Sequence, residues 1–168
     1  TEKLVLPEMI NEHDERDLNF SMYKLTAVHL WAQSWYGTWR YQVVERLLRL
    51  PEPEAISAVF NRLECIRLDA CIARDLPGLH RQLEALAYSS PGHKQQWEEW
   101  RRRASYLSDP AASAMDSVAL IADFVPLNLL DLKCYQGGIH LNRIREAMFA
   151  RVGREKAAMQ KALSELQR

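Results

Sequence analysis

The chain lacks net charge, long apolar runs and the residue patterns that hold cofactors or metals. Each absence excludes something. Basic and acidic side chains number 22 each, so the whole body is not one polyanion-binding surface, although a local basic patch remains open. No run approaches the ~18–20 apolar residues of a membrane span, and no membrane insertion is expected. Glycine is scarce, at 6 of 168 residues. The phosphate-cradling patterns GxxxxGK[ST] and GxGxxG do not occur. Gly137-Gly138 is a lone pair and reads as a loop or helix stop.

Metal ligation fares no better. An inward-facing Glu-x-x-His pair, as in di-iron bundles, would need Glu three residues before a histidine. The residues there are Ile10, Thr26, Pro77, Ser90 and Gly137. The three cysteines, Cys65, Cys71 and Cys134, are odd in number and unpatterned, which argues against a disulfide framework and for a reducing cytosol. Cys65 and Cys71 lie about 240° apart on a regular helix and cannot both ligate from it; they read as buried thiols. No cofactor and no metal is expected. The first residues carry no apolar stretch, so no signal peptide is expected in them. A start at Thr1 rather than Met fits a trimmed chain.

What is present suits one domain. At 168 residues and 48% hydrophobic composition, a core can form without a disulfide or metal staple. Sustained two-residue alternation is missing, while apolar residues recur three and four apart. The expected fold is all-α, a single compact helical bundle of about six or seven helices with no significant sheet. Residues 1–17, with six acidic and two basic side chains, read as an acidic N-terminal arm. Residues 18–168 read as the helical domain. Within it, residues 139–168 form a basic C-terminal helix with seven basic and three acidic side chains.

Residues 18–50 carry Trp31, Trp35 and Trp39 at four-residue spacing, with Phe20, Tyr23, Tyr36 and Tyr41. That spacing stacks rings on one helix face, so the segment is the expected seed of the core, with Trp31 and Trp35 buried. Gly37 interrupts it, giving one weakened helix or two. Residues 54–74 read as amphipathic, with Arg62, Arg67 and Arg74 on the polar side. Residues 111–124, rich in Ala, Val and Ile, read as the most buried helix, with Ile121 inside. Pro126 is expected to open a short helix running to Leu132.

Two stretches touch on nucleic acid. Residues 72–83 echo a helix-turn-helix, but Pro77-Gly78 leaves little room for a recognition helix, and an ordinary helical hairpin is favoured. Arg101, Arg102 and Arg103 follow Trp97 and Trp100, a mixture that grips phosphates while bases stack. Glu98 and Glu99 stand four residues before Arg102 and Arg103, the spacing of helix-stabilising ion pairs. A solvated charged face over buried tryptophans is therefore the favoured reading. His29 reads as a hydrogen-bonded histidine at the core edge.

The expected function is non-catalytic: a cytoplasmic protein–protein interaction or complex subunit that binds other protein chains, a second copy included. The basic C-terminal helix carries an apolar stripe, and Gly153 weakens it midway. Met159, Leu163 and Leu166 beyond that point are the expected partner-binding residues. The alternative is a nucleic-acid-binding accessory protein using Arg101–Arg103 or the C-terminal helix. A small helical enzyme or ligand-binding protein comes third, with no catalytic residue to nominate.

Overall fold

A computed structural model describes residues 6–86, 91–132 and 134–166. Residues 1–5 of the acidic arm, residues 87–90, Lys133 and the last two residues lie outside the described residues. So does the Leu83 side chain. Among the described residues there are seven α-helices and no strand. They are α1 (Arg16–Trp35), α2 (Tyr41–Leu48), α3 (Pro53–Asp75), α4 (Pro77–Leu86), α5 (Pro91–Arg103), α6 (Ala114–Phe124) and α7 (Leu141–Leu166), with short 3-10 turns at Ser105–Ser108 and Cys134–Gln136. The protein is all-α.

The helix at the centre is α3, not the aromatic segment. On one side of α3, Phe60, Leu63 and Ile66 pack with Val43 and Leu47 of α2, Trp97 and Trp100 of α5, Val118, Ile121 and Phe124 of α6, and Leu141. On the other, Leu68 and Ile72 pack with Met22, Leu25 and Ala32 of α1, with Tyr135, and with Ile10 of the arm. Burial therefore runs all round α3. The expected polar side of α3 is wrong for Arg67, which is 2% exposed. A helix wrapped on every face can hold charges only if they are paired and hydrogen-bonded, and these are.

Trp35 corrects the opening expectation: it is 68% exposed. The inward face of α1 is Met22, Leu25, Thr26, His29 and Ala32, spaced three and four apart. Trp31 and Trp35 fall on the neighbouring face, stacked with centroids 5.6 Å apart. Trp31 is half-buried, whereas Ile121 is buried as expected.

Gly37 does end α1. Its φ of +73° is a left-handed conformation open to glycine, and a Cβ there would meet Arg40 Nε at 2.5 Å. The chain turns, Thr38 N–H donates to Gln33 O at 2.9 Å, and α2 begins. No helix forms over residues 126–132. There Arg62 Nε donates to the Leu130 carbonyl at 2.8 Å, and Leu130 is buried. A helix would direct that carbonyl into its own ladder instead. The same burial pushes the Arg62 guanidinium below its ordinary pKa.

Candidate functional site

The densest chemistry lies in the middle of the bundle. Glu64 Oε1 accepts from Arg67 Nε at 2.7 Å and from Ser117 Oγ at 2.6 Å. Its Oε2 accepts from Arg67 Nη2 at 2.8 Å and from Thr38 Oγ1 at 2.5 Å. Four bonds fill the acceptor sites of a carboxylate. The side chains come from α3, from the α1–α2 corner and from α6, and all four are buried. Burial acts to lower the Arg67 pKa, but the hydrogen bonds and charge of Glu64 outweigh it and hold the value above the ordinary one. Every oxygen of Glu64 is engaged, so this group ties three elements together and has no site left for a reactant.

A second polar cluster adjoins it. His29 Nε2 lies 3.4 Å from Asp69 Oδ1, and Arg101 Nη2 donates to Asp69 Oδ2 at 3.2 Å. The His29 ring meets Tyr135 edge-on at 5.8 Å. A histidine stands on the inward face of α1 because Asp69 of α3 stands opposite. Cys65 is buried beside this cluster, and its thiol is pushed well above the ordinary range, by burial first and then by Asp69 and Glu64. It is protonated and inert at neutral pH.

The expected basic face is already engaged. Arg101 reaches across to Asp69 and lies over the Trp97 ring at 5.9 Å. Arg102 and Arg103 both bind Glu99, whose carboxyl they hold below the usual range. Glu98 pairs with Lys94, so the expected Glu98–Arg102 pair is replaced by Glu99–Arg102. Trp97 and Trp100 are buried. The helix-turn-helix echo also changes form. A single residue, Leu76, separates the 23-residue α3 from α4, which leaves no room for a separate turn.

Arg101 therefore differs from its two neighbours. Arg101→Ala strips Asp69, 7% exposed, of a charged partner. The expected cost is about 1.5–3 kcal/mol, measured by urea unfolding. Replacing Arg102 and Arg103 with Ala should leave the unfolding midpoint nearly unchanged. Equal effects from all three would contradict the bridge to α3.

One open groove, of about 630 Å³, lies beside Glu99, Arg102 and Arg103; another lies elsewhere. A groove of about 610 Å³ runs between the α1–α2 corner and α7. One wall is Trp35, Arg40 and Tyr41; the other is Ile144, Met148, Arg151 and Val152. Trp35 and Tyr41 are exposed. From this groove α7 continues outward. Leu141 is buried, Ile144 and Met148 are half-buried, and every residue from 149 to 166 is exposed. On a helix of 100° per residue, Leu141, Ile144, Met148, Val152, Met159, Leu163 and Leu166 share one stripe. The stripe that seats α7 on the domain thus runs on past its edge. Met159, Leu163 and Leu166 are 68%, 55% and 84% exposed.

Met159, Leu163 and Leu166 lie on α7 and Arg101–Arg103 on α5. Sequence reasoning missed Trp35 and Tyr41 as surface groups, because four-residue tryptophan spacing reads as core. The available signal was the competing stripe of Met22, Leu25, His29 and Ala32 on the same helix. Comparison of the chain with family models, curated proteins and solved structures gave no match.

Proposed function

We propose that this protein is a non-catalytic assembly subunit that binds other protein chains through α7 and the groove at its base. One observation carries the reading: an apolar stripe that begins in the core continues, uncovered, along the outer half of a 26-residue helix. A helical segment as short as the part beyond Gly153 is marginal alone in water, and its apolar side chains gain from a cover. Exposed aromatics beside such a stripe are the residue types that anchor interfaces. A cytosolic setting belongs to the same reading. Cys65 and Cys71 are buried and free, and among the described residues no helix is long and apolar enough to cross a membrane.

The nucleic-acid alternative is less favoured at Arg101–Arg103, where the guanidinium groups pair with Asp69 and Glu99. Truncation after Arg154 tests the assembly reading. The shortened chain should fold with a melting temperature nearly that of the full chain, because the removed residues through 166 are exposed. Proteins that co-purify with the full chain from its native source should be lost. A truncated chain that unfolds, or that keeps all of its companions, rejects the proposal.

A further inference from the structure

The apolar stripe of α7 has a near-mirror spacing. Ile144, Met148 and Val152 precede its centre; Met159, Leu163 and Leu166 follow it. Between them, in the only wide gap, stand Glu155 and Lys156. If a second α7 is laid antiparallel about that centre, Met159 comes level with Val152, Leu163 with Met148, and Leu166 with Arg145, one residue from Ile144. Glu155 comes level with Lys156 of the second copy. Packing on its own domain asks this spacing only of the first half, since every described residue of the second half is exposed.

We propose, resting on the assembly reading above, that the occupant of the α7 face is the α7 of a second copy, paired antiparallel. The two halves of the stripe are unlike in the way such a pair requires. In the first half Ile144 and Met148 are half-buried and Val152 is exposed, facing the exposed Trp35 and Tyr41 across the groove, and so this half forms a receptor. The second half projects free and forms the insert. A two-fold axis between Glu155 and Lys156 makes each copy receptor and insert at once, which closes the assembly at two. The shared helix runs roughly 33 Å at 1.5 Å per residue, with a domain at each end. A parallel pair would leave both grooves empty.

Charge separates this occupant from an acidic chain. Residues 141–166 carry six basic and three acidic side chains, of which Arg151 pairs with Glu155 and Lys161 with Glu165. Two like-charged helices approach more readily when salt screens them. A complex with an acidic helix weakens under the same change.

The test uses the full chain. Sedimentation equilibrium should show a monomer–dimer equilibrium that tightens as sodium chloride is raised, and Leu163→Glu should shift it to monomer. Circular dichroism confirms that the variant remains folded, as its exposed position requires. Separately, chains carrying Val152→Cys are mixed with chains carrying Met159→Cys and oxidised, and the bridge is mapped by mass spectrometry. The antiparallel register brings these positions within the ~7 Å Cα reach of a disulfide. A bridge from 152 to 159 is expected in the mixture, with little self-linking of either chain alone. Val152→Cys chains that link to each other show parallel pairing and overturn the proposal. A full chain that stays monomeric across the salt series also overturns it. If such a monomer still holds another protein through α7, the assembly reading stands and the second-copy occupant falls.

Discussion

Arg67→Met should destabilise the protein by about 3–5 kcal/mol, the cost of leaving a buried charge without its partner. Glu64 would keep the hydroxyls of Thr38 and Ser117, but two hydroxyl donors do not neutralise a carboxylate. Against a typical domain stability of about 5–15 kcal/mol, that loss is severe. Glu64→Gln with Arg67→Met removes both charges, keeps the shape, and leaves the hydroxyls an amide to bond. The double variant should be more stable than Arg67→Met alone, and the two single effects should not add. Chemical unfolding of the four chains gives the coupling directly. An Arg67→Met cost below about 1 kcal/mol would mean that the pair matters little to the fold.

Phe124→Ala is expected to cost about 3–5 kcal/mol, whereas Trp35→Ala should cost about 1 kcal/mol. Phe124 is buried against Trp100, with ring centroids 4.7 Å apart, and closes the cluster of α3, α5 and α6. Its removal leaves a cavity that the neighbouring helices cannot fill. Trp35 is the larger ring, yet it is mostly in water and loses little beyond its stacking on Trp31, about 0.5–1.5 kcal/mol. Ring size alone would rank them the other way. Urea midpoints for the two variants decide between burial and size.

How far the fold was legible follows from where each signal lives. Helical spacing over α3, α5 and α6 is a local property, and it led to the all-α class and to buried Trp97, Trp100 and Ile121. The α1–α2 break was legible because a φ of +73° at Gly37 is a property of one residue. Which side of a helix is inward depends on what arrives from elsewhere. His29 faces in because of Asp69, 40 positions away. Arg67 faces in because Glu64 beside it is also met by Ser117, 53 positions from Glu64. No pattern within α1 or α3 contains those partners, so the aromatic face of α1 was overweighted and the charged face of α3 was read as wet. Residues 126–132 failed for the same reason: the Arg62 bond to the Leu130 carbonyl spans 68 positions. The α7 stripe was readable throughout, because its spacing lies within one element.

The burial of α3 on every side has a consequence for rotation. A surface helix is oriented by having one wet face and one dry face. Residues 56–73 of α3 are buried or half-buried on every side, so that asymmetry is weak. Turning the helix by one residue, about 100°, would still present apolar side chains to most of its neighbours. It would also carry Glu64 and Arg67 away from Thr38 and Ser117 and into hydrocarbon. The charged pair therefore acts as a key in a slot: it selects one angular setting of the central helix, and every other helix takes its place from that setting.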